Sequence, residues 1–166
     1  MKKIAMILSA TLAFSPLAAS AHTEHHPAAA KAAPAEHPQA AAVRAVLARY
    51  QAAIERLDAS GTEVLFAADS AVFETGGSEG TYSNYLAHHL APELKEFKSF
   101  QFSNYKVAIR FEGPLALATE TYNYRIETND GTVAERVGVT TSALKQIDGR
   151  WQILVSHNSG RKPKGG

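Results

Sequence analysis

The sequence predicts an α+β domain in which helices precede an antiparallel sheet. Apolar residues recur at helical spacing in the first half of the chain, whereas long runs of β-branched and aromatic residues fill the part after residue 100. Helices followed by strands are the order of an α+β fold. Because only the helices can cover the apolar face of the sheet, we expect a cone-shaped curved sheet wrapped on two to three N-terminal helices. The open end of such a cone can hold a cavity.

The start of the chain has the pattern of an export signal. Met1-Lys2-Lys3 is cationic, residues 4–14 are mainly apolar, and Ala19-Ser20-Ala21 is a small-residue cleavage site. The apolar run is shorter than the roughly 20 residues that a membrane-spanning helix needs. The pattern therefore predicts a signal peptide over residues 1–21, cleaved near Ala21, and a periplasmic or secreted protein that is free of the membrane.

Residues 22–42 are rich in Ala, Pro and His and lack large apolar side chains, which predicts a flexible linker. Cleavage after Ala21 would make His22 the first residue, and its free amine and ring nitrogen can chelate a metal ion. His25 and His26 lie nearby in sequence, and imidazole and amine ligands suit copper and zinc. The linker is thus either a copper or zinc site or a polar tether with incidental metal affinity. We predict no other cofactor.

Composition limits the function classes. The chain of 166 residues has 17 basic and 16 acidic side chains, so nothing in its charge predicts a nucleic-acid partner. It has no cysteine, which excludes thiolate catalysis and cysteine metal sites. We expect one domain over residues 43–160, followed by a short basic tail over residues 161–166.

The helices are predicted from apolar spacing and from their end signals. Gly61 ends the first helix, and Thr62 is placed to cap a short second one. A third helix covers residues 82–90, and Pro92 then interrupts the backbone ladder because it has no amide hydrogen. The buried stripe of the first helix consists of Val43, Val46, Leu47, Tyr50, Ile54 and Leu57.

The strands are predicted from β-branched and aromatic runs between turn signals. A short strand covers residues 71–75 and ends at Gly76-Gly77. Glu112-Gly113-Pro114, Asn129-Asp130-Gly131 and Asp148-Gly149 separate the later runs. The four long strands that result cover residues 100–111, 115–128, 132–146 and 150–157.

Several local strings resemble the nuclear transport factor 2-like superfamily, also called SnoaL-like or ketosteroid-isomerase-like. They are Arg49-Tyr50, the run from Leu65 to Val72, the run from Gly76 to Gly80, and the run from Asp148 to Ile153. The resemblance implies the cone fold and a homodimer through the outer sheet face. It leaves open whether the protein is an enzyme, because the superfamily includes isomerases, hydrolases, cyclases and pure binding modules.

The same resemblance implies candidate catalytic residues. In ketosteroid-isomerase-like members, a tyrosine at the position of Tyr50 donates a hydrogen bond to the substrate oxygen, and a carboxylate at the position of Glu74 moves the proton. A further carboxylic acid of those enzymes falls at Thr141 or a neighbour, where a hydroxyl is a weaker donor. The alternative is that Tyr50 is a core tyrosine and Glu74 a solvated strand end.

Histidines supply a second set of candidates. His89 shares a helical stripe with Leu86 and Leu90, and His157 continues the alternation of the last strand, so both are predicted to face the cavity. With Glu93 or Glu120 they could hold zinc or copper, or one imidazole could be a general base. Alternatively, they are hydrogen-bonded core or cavity histidines.

Together these patterns predict an exported binding module for a small, partly apolar ligand. Its predicted polar contacts are Tyr50, His89, Tyr122 and His157. Tyr122 shares a strand face with Glu120, which is predicted to pair with Arg136. Two alternatives remain at this point, an isomerase- or hydrolase-type enzyme with Glu74 or His157 as base, and a metal-binding protein that uses the histidine-rich N-terminus.

Overall fold

The computed structural model describes residues 36–164, and these residues form helices packed against one curved, open sheet of six strands. The helical elements are α1 (Ala40–Glu55), a 3-10 turn (Glu63–Leu65), α2 (Tyr82–Tyr85), a π-helical turn (Leu86–Leu90) and α3 (Ala91–Glu96). The strands are β1 (Phe66–Glu74), β2 (Gly77–Gly80), β3 (Phe97–Glu112), β4 (Leu115–Thr128), β5 (Val133–Ile147) and β6 (Arg150–Arg161).

The sheet has the order β2-β1-β6-β5-β4-β3. All neighbouring strands are antiparallel except β1 and β6, which run parallel. Strands β2 and β3 are the two free edges, so the sheet does not close into a barrel. The α+β class and the cone-shaped sheet predicted from the sequence are confirmed.

The core lies between α1 and the inner face of the sheet. Val43 and Leu47 of α1 are almost fully buried, as are Leu144 and Ile153 of the sheet. Complete burial of such a side chain contributes roughly 1.5–3 kcal/mol to stability. Helix α1 is therefore held firmly against the sheet, and it forms one wall of the cavity described below.

The ordered domain begins before the predicted boundary. Helix α1 starts at Ala40, and the ring of His37 stacks on Phe111 with ring centres 3.7 Å apart. Arg44 also bonds Glu36 and the carbonyl oxygen of Val107. The predicted flexible linker thus does not extend to residue 42. The predicted signal peptide and the predicted metal ligands His22, His25 and His26 lie outside the described residues.

Strand β1 begins at Phe66, five residues before the predicted start, and β2 was not predicted at all. Residues 77–80 carry two glycines and no β-branched side chain, so their strand form comes from pairing with the end of β1 and not from propensity. Helical structure also continues through residues 82–96, because a wider π-helical turn directly precedes Pro92. In the described chain, the helices are too short or too polar to traverse a bilayer.

An irregularity in β6 changes which side chains face inward. Ala143 pairs with Val155 but Leu144 pairs with Ile153, so Leu154 is an extra residue in β6. Such a bulge reverses the alternation of the residues that follow it. Ile153 is buried before the bulge and Ser156 after it, whereas His157 is exposed. The prediction that His157 faces the cavity is therefore wrong.

A second bulge lies in β3. Ser103 pairs with Asn123 and Lys106 with Thr121, which leaves two residues of β3 opposite one of β4. Asn104 has a φ of 52°, a conformation that asparagine tolerates better than most residues. The bulge places Tyr105 on the inner face of the sheet.

Candidate functional site

A cavity of about 150 Å³ opens between the helices and the inner face of the sheet. We call it the main cavity. A closed apolar cavity of this size can hold a single aromatic ring. Its walls combine aromatic rings with a few polar groups, as ligand sites do. The polar groups belong to Tyr50, Glu74, Tyr82, Tyr85, Glu93, Tyr122, Tyr124, Thr140, Ser156, Asn158 and Ser159.

Glu74 lies at the end of β1, where the chain reverses through Thr75 and Gly76, which have φ values of 37° and 87°. Its Oε2 atom is buried and has no hydrogen-bond partner among the described residues. The His89 ring, which is cationic when protonated, has its Nε2 3.4 Å from this oxygen. That separation fits a charge contact without the alignment of a hydrogen bond. Glu74 therefore presents an oxygen that can still accept a proton or a hydrogen bond.

His89 joins three carboxylates at the edge of the main cavity, and we call Glu74, Glu79, His89 and Glu93 the rim cluster. His89 Nδ1 is 3.1 Å from Glu79 Oε2, and His89 Nε2 is 3.8 Å from Glu93 Oε2. The hydrogen bond to Glu79 raises the pKa of His89, and the charge of Glu74 adds to this effect. Burial raises the pKa of Glu93. His89 thus contacts two wall residues but is not itself a wall residue.

The tyrosines beside Glu74 are hydrogen-bond donors across the neutral pH range. Burial raises the pKa of Tyr50 and of Tyr85 well above the usual value. Burial also raises the pKa of Tyr82 to about 12, although its hydroxyl shares a hydrogen bond of 2.6 Å with Thr62. The Tyr50 ring packs edge-on against Phe66, with ring centres 5.2 Å apart. Tyr50 is thus both a core and a cavity residue.

A smaller cavity of about 50 Å³ lies next to the main one, between α1 and the sheet. We call it the inner chamber. Glu120 lies in it, only 8% exposed, and accepts a hydrogen bond from the Tyr105 hydroxyl. Desolvation raises the pKa of Glu120, and the bond from Tyr105 offsets part of this rise. On the opposite strand, Thr140 shares a 2.7 Å hydrogen bond with the Tyr122 hydroxyl.

Arg136 does not pair with Glu120. In the register of β4 and β5, Arg136 lies opposite Tyr124, and Glu120 lies opposite Thr140. The Arg136 guanidinium instead donates to the carbonyl oxygen of Glu135. The predicted ion pair is wrong because the strands are offset by four residues from the alignment that it needs.

The structure brings together some predicted site residues and separates others. Tyr50, Glu74 and Tyr122 line the main cavity. His157 is exposed and packs edge-on against Phe73, with ring centres 6.4 Å apart, on the outer face. A metal site between His89 and His157 is therefore excluded by position. Thr141 is also exposed, and its neighbour Thr140 takes the inward place.

Glu79, Asn158 and Ser159 are among the site residues that were not predicted, whereas Tyr85 and Tyr105 were predicted only as aromatic residues that line a pocket or fill the core. Tyr105 and Asn158 follow bulges, which strict alternation cannot reveal. Tyr85 shares the helical stripe of Tyr82 and His89 at three- and four-residue spacing, a signal that was available in the sequence. Among the described residues, Glu74, Glu79 and His89 bring ligand atoms within 4.8 Å of one another and could hold a metal ion.

Comparison with known proteins identifies a family that this chain matches and solved structures that share its fold. The model of the SnoaL-like domain family matches residues 43–161. A candidate ketosteroid isomerase from Shewanella frigidimarina is 25% identical with a TM-score of 0.63, and the alignment covers 71% of this chain and 94% of that chain. No curated protein sequence matches the chain.

Two further solved structures share the fold at lower identity. A nuclear transport factor 2-like superfamily protein from Salmonella enterica serovar Typhimurium is 20% identical, with a TM-score of 0.65 and coverage of 74% of this chain and 91% of that chain. A candidate scytalone dehydratase from Novosphingobium aromaticivorans is 14% identical, with a TM-score of 0.65 and coverage of 73% and 83%. Since the family model spans most of the chain and the cone fold recurs in these structures, this chain belongs to the SnoaL-like domain family.

Proposed function

We propose that this domain binds a small, partly apolar molecule in the main cavity. The observation that carries the proposal is a ring-sized space with aromatic walls and a polar end formed by Glu74 and the Tyr50 and Tyr85 hydroxyls. Apolar surface supplies the affinity of such a site, and the few polar groups fix the orientation of the ligand. The ligand is therefore a ring or short chain with one or two oxygen or nitrogen substituents.

Filling the cavity tests this proposal. Val72 is 3% exposed and lines the main cavity, so Val72→Phe should occupy the space. Val64 is 49% exposed and offers a matched control, Val64→Phe. We expect titration calorimetry to detect benzyl alcohol binding to the wild type and to Val64→Phe, and about tenfold weaker binding to a folded Val72→Phe. Equal binding to all three proteins would contradict the proposal.

A second candidate function is proton transfer on the bound molecule, and the unpartnered Oε2 of Glu74 favours it. In this reaction Glu74 removes a proton from the carbon between a carbonyl and an alkene, and returns it to the far alkene carbon. The Tyr50 hydroxyl donates a hydrogen bond to the carbonyl oxygen as negative charge develops there. The resulting isomerisation is consistent with the candidate isomerase among the similar structures.

Replacing Glu74 tests the second candidate. A cyclic β,γ-unsaturated ketone reports turnover through the absorbance of its conjugated product. We expect Glu74→Gln to lower the rate by about 100-fold or more, because general-base catalysis contributes factors of that order. Glu112→Gln is the control, since Glu112 is exposed at the far end of β3. Unchanged turnover in Glu74→Gln would exclude this role while leaving ligand binding in place.

Export, metal binding by the N-terminal tail and dimerisation are further proposals. We propose that the chain is cleaved near Ala21 and that His22, His25 and His26 then bind copper or zinc in the periplasm. N-terminal sequencing of the exported protein tests the cleavage, and calorimetry against a chain that starts at Glu36 tests the metal site.

We also propose a homodimer through the outer sheet face, where Val139 and Val155 are 40% and 39% exposed. Sedimentation of a single monomeric species would contradict it.

A further inference from the structure

Glu120 is a buried carboxyl group without a cationic partner. It is 8% exposed, and among residues 36–164 its partner is the Tyr105 hydroxyl, which donates to Oε1. Buried carboxylates in proteins are ordinarily paired with a cation or held by several hydrogen bonds. One hydrogen bond from a tyrosine offsets only part of the free energy that this carboxyl group loses when it is removed from water. Glu120 therefore has the capacity to accept a further donor on its second oxygen.

Three aromatic residues of the sheet line the inner chamber together with this carboxyl group. Phe102 and Tyr105 have ring centres 6.0 Å apart, Tyr105 and Tyr122 5.8 Å, and Phe102 and Tyr122 5.0 Å. At these distances the three rings pack against one another, and together they form one aromatic wall of the inner chamber. The faces of aromatic rings attract organic cations, and a carboxylate among such rings adds charge to that attraction.

The inner chamber and the main cavity are adjacent. Both are lined by Tyr50, Ile54, Phe102, Tyr122, Thr140 and Ser156. The two spaces therefore share walls, and a ligand that occupies both has to pass one end between these shared side chains. The chamber volume of about 50 Å³ suits a group of the size of an ammonium or methylammonium ion.

We propose that the inner chamber binds the positively charged amino group of the ligand, with Glu120 as counter-ion and Phe102, Tyr105 and Tyr122 as an aromatic wall beside it. This inference rests on the proposed function, since it assigns a chemical class to the ligand of the main cavity. The ligand is then an organic amine with an apolar ring or chain. The apolar part occupies the main cavity, and the amine replaces the cation that the protein itself does not supply to Glu120.

Binding of two matched probes tests the inference. Benzylamine and benzyl alcohol share a ring and a one-carbon arm, but only the amine is charged at neutral pH. We expect calorimetry to show that the wild type binds benzylamine about tenfold more tightly than benzyl alcohol. Glu120→Gln keeps the shape of the side chain and should remove this preference while binding of benzyl alcohol persists. Glu135→Gln, an exposed position on β5, should retain the preference.

The other outcomes separate this inference from the proposed function. Equal affinity for the two probes in the wild type overturns the amine site and leaves cavity binding intact. Binding of neither probe overturns both. A preference that is lost in Glu74→Gln and kept in Glu120→Gln also overturns the inference, because the amine would then lie at the rim cluster. If Glu120→Gln does not fold, Tyr122→Leu removes one ring of the aromatic wall, and an unchanged preference in that variant overturns the proposal.

Discussion

The ring of Tyr122 occupies the space in which any side chain at position 138 would have to lie. Tyr122 and Gly138 are direct partners in the register of β4 and β5, and a Cβ atom on Gly138 would come 2.8 Å from Cδ2 of Tyr122. The missing side chain allows the ring to lie flat on the sheet, where its hydroxyl reaches Thr140. The shared wall of the main cavity and the inner chamber therefore depends on a glycine in the neighbouring strand.

Gly138→Ala should displace the Tyr122 ring and destabilise the protein. Overpacking of this kind costs about 1–3 kcal/mol, which urea unfolding monitored by circular dichroism can measure. Tyr122→Ala removes the ring, so the double variant should not show this additional loss. Additive effects of the two substitutions in a double-mutant cycle would contradict the proposed contact.

Glu120 should make the protein less stable as the pH rises. Desolvation raises the pKa of Glu120 in the folded state above its usual value of 4.5. The stability associated with its protonated form is therefore fully present below pH 4.5 and is lost as the pH rises through the folded-state pKa. Glu120→Gln should flatten this part of the profile of unfolding free energy against pH. The exposed Glu135→Gln should leave the profile as in the wild type.

Tyr105→Phe should leave Glu120 without its hydrogen-bond donor. Removal of one partner from a buried polar group costs about 1–3 kcal/mol, so the unfolding free energy at neutral pH should fall by that amount. The pKa of Glu120 should rise further, because the Tyr105 hydroxyl lowers it in the wild type. Tyr124→Phe is the control, since burial raises the pKa of Tyr124 with no contribution from a side-chain hydrogen bond. A similar loss in both variants would argue against a specific bond.

Glu79→Gln should lower the pKa of His89, because the hydrogen bond to Glu79 is the largest cause of its rise. Glu93→Gln should lower it less, since Glu93 acts only through charge at 3.8 Å. The raised pKa means that the contribution of His89 to stability is present below its usual value of 6.5 and is lost as the pH rises through the folded-state value. Proton NMR titration of the His89 ring measures both effects. A larger shift in Glu93→Gln than in Glu79→Gln would contradict this assignment.

Two neighbouring residues of β6 should differ in their effect on binding. Asn158 lines the main cavity, whereas His157 is exposed on the outer face. Asn158→Ala should weaken benzyl alcohol binding about threefold to tenfold, the value of one ordinary hydrogen bond. His157→Ala should leave it unchanged, as calorimetry can show. Weaker binding in His157→Ala would place the imidazole near the ligand and contradict the observed register.

Much of the fold could be predicted from turns and periodicity. The strand over residues 115–128 has the predicted bounds because turn-forming Gly113-Pro114 and Asn129-Asp130 flank a long β-branched and aromatic run. Strand β2 could not be predicted, since its residues have low strand propensity and are extended because they pair with the end of β1. Residue preference and strand pairing agree in the first case and not in the second.

The candidate site divides in the same way. Tyr50, Glu74 and Tyr122 could be predicted because each follows the regular period of its helix or strand, or a recognised local string. The inward position of Tyr105 and the outward position of His157 depend on single extra residues, at Asn104 and Leu154. An extra residue leaves the composition of a strand unchanged, so hydrophobic alternation alone gives no indication of it.

The bulge at Leu154 allows β6 to contribute both to the hydrophobic core and to the polar wall of the main cavity. Before it, β6 contributes Trp151 and Ile153 to the hydrophobic interior, and after it the strand offers the hydroxyl and amide of Ser156 and Asn158 to a ligand. If β6 kept Leu154 but ran on without the bulge, regular alternation would instead turn Val155 and His157 inward, without altering the strand order. The polarity of this wall is thus set by the bulge in β6 as much as by the identity of its side chains.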